Sequence, residues 1–421
     1  MIKFIHAADI HLDSPLRGLE SYEGAPVDEI RGATRKAFVN LVNLALEEEI
    51  SFVIIAGDLY DGDWKDYNTG LFLLAQLSKL TSKGIPVFIA KGNHDAESKM
   101  TRDLRPPEGV KIFSSKAPET FILEDLDVAI HGQSFATAAV TRDLASSYPP
   151  PKTGLFNIGV LHTSVDGREG HENYAPCTVD TLQAKRYDYW ALGHVHKREV
   201  LSEDPWIVFP GNIQGRHIKE TGPKGCTIVS MEDGAVVSVE HHDLHTLVWS
   251  LCEVDVSGAV YPQDVVERVK ENVEEAYLRN NKDFTAARVR VHGHCRAHGQ
   301  LSDDPEKWSN EMRLAVTDAC GGSVWLEKIS VQTAIEADLE QISKRNDAIG
   351  DLLRYIESLD RADGRELPGL IAGEITELRA KLPPELGQGL KELESKEKSS
   401  EVLEEVKQLL ISRLLSSGAG Q

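Results

Sequence analysis

The strongest constraint on the fold is a recurrence. Up to about residue 200 the chain carries six short apolar runs: Lys3 to Ala7, Phe52 to Ala56, Pro86 to Ala90, Val128 to His131, Ile158 to Leu161 and Tyr187 to Leu192. Apolar runs this short read as strands buried on both faces. Between them, Arg35 to Glu49 and Leu71 to Leu80 space their apolar residues helically. Strands alternating with amphipathic helices predict a layered α/β unit. Five of the six runs end on a short polar motif, and the carboxyl edge of an open α/β sheet is where ligands bind.

The pattern then changes. Trp206 to Phe209, Gly225 to Met231, Ala235 to Glu240 and Leu247 to Val256 read as strands joined by turns such as Glu232-Asp233-Gly234, expected to close the second half of the core sheet. Residues 258–330 read as a small α+β unit, with a helix over Pro262 to Arg279 and a strand over Ala286 to Cys295. Val331 to Leu359 and Ser400 to Leu415 read as helices, with apolar positions such as Ile335, Leu339, Ile342, Ile349, Leu353, Val402 and Leu409. The divisions are therefore 1–257, 258–330 and a helical 331–421, ending in a disordered SSGAGQ.

With 421 residues, more than one domain is the default. A net charge of -21 argues against broad, sequence-blind polyanion binding. It leaves DNA open as a substrate, because a basic strip or bound divalent cations reverse the field locally. The five cysteines (Cys177, Cys226, Cys252, Cys295 and Cys320) never form a CxxC pair, so neither a disulfide framework nor a zinc-thiolate site is expected, and a reducing cytosol fits. The N-terminus meets Asp9 before any long apolar run, and no stretch reaches membrane-spanning length. A cytoplasmic protein with no membrane association is expected.

The chemistry resides in five motifs: Asp9-Ile10-His11, Gly57-Asp58, Gly92-Asn93-His94-Asp95, His162 within VLHTS, and Gly193-His194-Val195-His196. Their carboxylate, amide and imidazole donors suit Mn²⁺, Fe²⁺, Zn²⁺ or Mg²⁺, and no thiolate favours a softer metal. Asp9 with His11, and His194 with His196, read as i, i+2 pincers on extended chain. The glycines allow tight turns straight after strands. One DxH or GD alone is commonplace; the set, each member after its own strand, points to a dinuclear hydrolytic site.

With these motifs (HAADIHLDSPL, IIAGDLYDGD, IAKGNHD, VLHTS and YWALGHVH) the chain resembles the calcineurin-like metallophosphoesterases. Within them it resembles the SbcD-like, YhaO-type branch of DNA repair exonucleases. The likeness is strongest to about residue 215. It implies a layered β-sandwich core flanked by helices, a small α+β capping domain, and a helical C-terminal region. One metal would be held by Asp9, His11, Asp58 and His196. The other would be held by Asp58, Asn93, His162 and His194, with Asp58 bridging. His94 would protonate the leaving oxygen, with Asp95 orienting its ring; the blander use of His94 is a supporting hydrogen bond.

The resemblance further implies a hydrolase acting on ester bonds, a Mn²⁺-dependent exonuclease with single-strand endonuclease action in DNA repair or recombination. It implies a homodimer and, through the C-terminal helices, an SbcC-like SMC-type ATPase partner. Packing on their own domain is the simpler use of those helices. Asp61 stands where some nuclease relatives carry a histidine, and could simply fix its loop. Phosphatases of this fold look like GDxVDRG; the arginine is missing here, which favours diesters. The rivals are a small-molecule or cyclic-nucleotide phosphodiesterase and a non-catalytic scaffold.

Some residues stay ambiguous. Arg216 and His217 could reach substrate from the rim, or form an exposed basic turn. Arg288, Arg290, His292, His294 and Arg296 fall on one strand face, opposite Val289, Val291 and Cys295. A solvated face ranks first, a DNA-backbone strip second, and a metal site with His298 third. His6, His131, His171, His241, His242 and His245 read as structural or exposed.

Overall fold

A computed structural model describes residues 1–14, 26–61, 67–97, 105–167, 174–336 and 339–361. The predicted Ser400 to Leu415 helix, His171 and the residues after Arg361 lie outside these. The strands are β1 (Ile2–Ala7), β2 (Phe52–Ala56), β3 (Val87–Ala90), β4 (Val110–Ile112), β5 (Glu119–Leu123), β6 (Val128–Gly132), β7 (Phe156–His162), β8 (Tyr189–Gly193), β9 (Glu199–Glu203), β10 (Trp206–Phe209), β11 (Gly225–Glu232), β12 (Ala235–Asp243), β13 (Val248–Asp255), β14 (Thr285–Cys295) and β15 (Val324–Ile335). The helices are α1 (Val27–Glu47), α2 (Tyr67–Thr81), α3 (Asn93–Glu97), α4 (Val179–Ala184), α5 (Pro262–Arg279), α6 (His298–Asp303), α7 (Pro305–Ala319), α8 (Leu339–Ser343) and α9 (Ala348–Arg361).

Two six-stranded sheets form the core, in the orders β12-β11-β1-β2-β3-β4 and β5-β6-β7-β8-β10-β9. Strand alternation explains their stacking. Phe4, Phe52, Ile54 and Phe88 from the first sheet pack with Val128, Ile130, Ile158, Val160, Tyr189 and Ala191 from the second. The alternate residues Ile5, Ala7, Val53 and Ile55 pack against Phe38 and Leu41 of α1 and Leu73 and Leu77 of α2. On the second sheet, Leu161, Trp190 and Leu192 pack with Leu182 of α4. Both faces of each central strand are thus covered, as their unbroken apolar runs require. Each fully buried Val, Leu, Ile or Phe side chain among them contributes about 1.5–3 kcal/mol.

The segment 206–255 does not complete one sheet, as expected, but is shared among three. β10 lies parallel beside β8, whereas β11 lies antiparallel beside β1, with Ile2 opposite Met231. Each placement pairs backbone groups that a bare sheet edge would leave open. β13 joins a third sheet, of order β13-β14-β15. The strand predicted over Ala286 to Cys295 forms, with Val289, Val291 and Cys295 buried and Arg290, His292 and His294 exposed. Val331 to Ile335, predicted helical, instead extends β15.

Two compact units emerge: Met1–Leu251 with Ala276–Arg288 and Ser323–Glu327, and Cys252–Glu275 with Val289–Gly322 and the described residues from Lys328. The first contains every candidate site residue. The five cysteines are buried and unbridged. Among the described residues no helix is long and apolar enough to cross a membrane.

Candidate metal centre

The parallel strands β1, β2, β3, β7 and β8 all end at one edge, and the polar motifs follow directly. The turn after β1 is laced to the turn after β2 by Asp9 N donating to Gly57 O (3.0 Å) and His11 N to Asp58 O (2.9 Å). Asp9 and His11 do not project from extended chain, as the spacing suggested. Their φ values are 52° and 46°, and those of Asp58 and His194 are 51° and 103°. Left-handed turns, rather than strand alternation, converge the donors. Two glycines make the approach possible. A Cβ on Gly57 (φ +101°) would stand 2.1 Å from His162 Nδ1, and one on Gly193 would stand 1.8 Å from the Ala56 carbonyl oxygen.

Among the described residues, three groups of donor atoms lie close enough to share an ion: Asp9, His11 and His196; His11, Asp58 and His94; and Asp9, Asp58 and His162. Asp58 Oδ2 lies 3.8 Å from His11 Nε2 and 3.4 Å from His162 Nε2, between the two proposed sites, where a bridge is needed. His162 Nδ1 faces Ala56 O at 3.0 Å, which turns Nε2 toward Asn93 Oδ1, also 3.0 Å away. His194 gives its backbone N–H to both Asp9 oxygens (3.1 Å each), and its ring packs on that of His162 at 5.1 Å. The imidazole of His194 is in none of the three groups; that of His94, expected to be no ligand, is in one.

These residues fit divalent cations. Burial pushes the Asp9 carboxyl up to about 6, despite the opposing pull of His196 and the His194 N–H. Burial, then the Asp95 and Asp9 charges, push Asp58 well above the carboxylate range. Burial likewise holds His11 and His162 well below the usual imidazole range. Crowded carboxylates and neutral imidazoles are what a bound cation relieves. His11 Nε2 and His196 Nε2 also face each other at 3.3 Å, close enough for both to turn to one ion.

Further polar groups lie behind these donors, and of them Glu220 was not legible in the sequence. Glu220 is buried, with Oε1 2.7 Å from His196 Nδ1 and 3.0 Å from Arg216 Nη2. Arg216 Nη2 also approaches His196 Nδ1 at 3.2 Å, but the shorter, charged contact to Glu220 claims the Nδ1 proton. Asp61 Oδ1 lies 3.3 Å from His94 Nδ1 and 3.5 Å from His11 Nδ1, and Oδ2 accepts from Ser14 Oγ at 2.6 Å. Burial raises the Asp61 carboxyl, but hydrogen bonding from His11 and Ser14 and the Arg216 charge leave it well below the usual range. Asp95 has a different part from the one expected. Its oxygens accept from Tyr60 N (3.1 Å) and Gly92 N (3.0 Å), tying the loops after β2 and β3 together, so Asp61 is the carboxylate beside His94.

Arg216 is turned inward rather than exposed, with its Nη1 3.7 Å from Asp61. His217 is half exposed, 3.6 Å from Glu220. His6 and His131 are structural: His6 bonds Tyr189 Oη and Leu192 O, and His131 bonds Thr120 and Asn157.

A stacked pair of sheets with carboxylate, amide and imidazole donors gathered at one edge suits a metal-dependent hydrolase of phosphoesters. The chain belongs to the calcineurin-like metallophosphoesterases. The model of the calcineurin-like phosphoesterase family matches residues 2–198, and that of the middle domain of metallophosphoesterase YhaO matches residues 249–334. The chain is 34% identical over 369 residues to the uncharacterized metallophosphoesterase YhaO of Bacillus subtilis, covering 86% of this chain and 88% of that one. Among solved structures, TT1561 of Thermus thermophilus is 10% identical with a TM-score of 0.35, covering 58% of this chain and 99% of its own. A dimetal phosphatase from Danio rerio is 10% identical with a TM-score of 0.33, covering 55% and 93%. Scores that low bear on nothing further.

Proposed function

We propose that this phosphoesterase is a DNA nuclease, an exonuclease with single-strand endonuclease action, working in DNA repair or recombination with two Mn²⁺ ions. The observation that carries the reading is the engagement of Arg216. Its guanidinium is bonded to Glu220 and faces Asp61, so it is not presented as the fork that a phosphomonoester dianion would grip. A diester carries a single negative charge and does without that clamp.

Asp9, His11, Asp58 and His196 would hold one ion, and Asp58, Asn93, His162 and His194 the other. When bound, the ions polarise the phosphoryl oxygens and acidify water. Hydrolysis forms a P–O bond from water and breaks the one to the leaving sugar oxygen. His94, its side chain 38% exposed beside Asp61, would give that oxygen its proton. The Asp61 carboxylate, 3.3 Å from His94 Nδ1, would hold the ring in that orientation.

Labelled linear duplex and single-stranded DNA, incubated with Mn²⁺, Mg²⁺ or chelator, test the proposal. Cleavage should need the metal, and Asp58→Asn and His94→Ala should each abolish it while leaving the fold intact. Retained cleavage in both variants would sink the assignment. Faster turnover of bis-p-nitrophenyl phosphate or cyclic nucleotides than of DNA would move it to a small-molecule phosphodiesterase. The same reading gives the chain an SMC-like ATPase partner docked on the region from residue 331, and a homodimeric state. Because β15 runs to Ile335, the cut belongs after Glu336: a chain truncated there should stay active but fail to co-purify with the ATPase.

A further inference from the structure

We infer that Glu220 is a positioning residue that braces one of the two metal sites through His196 and, with the same carboxylate, ties that site to Arg216. The inference rests on the proposed two-metal reading. Each Glu220 oxygen is used more than once. Oε1 takes His196 Nδ1 and Arg216 Nη2, while Oε2 accepts Arg216 N at 2.7 Å and Asn212 Nδ2 at 3.0 Å. The loop that supplies Glu220 also holds the other end of His196. Lys224 Nζ donates to the His196 carbonyl oxygen at 3.0 Å, and Asn212 N does so at 3.3 Å.

His196 is thereby fixed at ring and backbone by residues between 212 and 224, leaving Nε2 as the nitrogen for an ion. This is more than a buried ion pair, because the two sites are oriented by different chemistry. His162, proposed for the other ion, is held at Nδ1 by the Ala56 carbonyl oxygen, a neutral acceptor. A carboxylate behind a ligating imidazole fixes the tautomer, raises ligand basicity and adds negative charge near the ion. Removing it should therefore weaken one site and spare the other.

The test is Mn²⁺ titration of the metal-stripped full chain by calorimetry, with free Mn²⁺ counted by electron paramagnetic resonance. The natural protein should bind two ions. Glu220→Gln should bind one of them about 10- to 100-fold more weakly, the other unchanged, with the metal-free unfolding temperature largely kept. If that variant does not fold, Glu220→Asp, which keeps the charge one methylene short, is read the same way and should show a smaller loss at the same site. Two unaltered sites in the folded variant, or equal weakening of both, overturn the inference while leaving the two-metal reading intact. A natural protein that binds no ion overturns the proposed function instead.

Discussion

Asp61 carries the residue-scale lesson. A sequence can show that an aspartate replaces a histidine but not what it touches, and here it touches His94, His11, Ser14 and Arg216 at once. If it holds the His94 ring toward the leaving oxygen, Asp61→Asn should lower kcat by about 100-fold with KM nearly unchanged. Steady-state kinetics on DNA would show it, and an unchanged kcat would leave Asp61 a loop-fixing residue only. The proposed ligands themselves were legible because each motif follows a strand whose apolar run announces itself. Glu220 was not, because a group that orients a ligand needs no motif of its own, and nothing in the sequence marks the acid four residues beyond Arg216 as buried.

At the scale of elements, the edge where β2 and β8 end is the tightest place in the site. Gly193→Ala would set a Cβ against the rigid Ala56 carbonyl, with no flexible side chain to yield. The variant should therefore lose Mn²⁺ binding at both sites and unfold several degrees lower. Calorimetry and thermal unfolding would check both, and normal metal binding would contradict the close approach. The central strands could be read because both faces are buried. β5 and β9, partly exposed and at sheet edges, gave no such run. Val331 and Ile335 are four apart, a spacing that suits a helix and, equally, one face of a strand; the run Ile329, Val331, Thr333, Ile335 in β15 settles it as strand. No helix was expected at α7, although Asp304 caps it and Pro305 stands in its first turn.

For the whole molecule, charge and pH matter most. The arginines weighed as a DNA-backbone strip, on β14 and just after it, are matched by acids: Arg288 by Glu327, Arg290 by Glu253 and Arg296 by Glu336. Acid should destabilise the metal-free protein through buried imidazoles. Burial lowers His6 from 6.5 to about 3, so the unfolded chain takes up a proton that the folded protein refuses, and stability is lost as pH falls below 6.5. Asp9, raised from 3.8 to about 6, acts oppositely, costing stability as pH rises through that window. His6→Gln removes only the first effect. Between pH 7 and pH 5 it should lose about 2 kcal/mol less stability than the natural protein in urea unfolding of the stripped form. An identical loss would contradict a neutral His6.

The left-handed turns at Asp9, His11, Asp58 and His194 have one more consequence. Aspartate, asparagine and histidine are the side-chain-bearing residues that tolerate this backbone best, and they are also hard-metal donors. Two independent demands, one from the peptide and one from the ion, therefore select from the same short alphabet. Substitution to alanine at these positions mixes lost ligation with a strained backbone, whereas exchange within that alphabet isolates the donor atom. Asp9→Asn and Asp58→Asn are accordingly the cleanest ways to silence this site without disturbing the loops that build it.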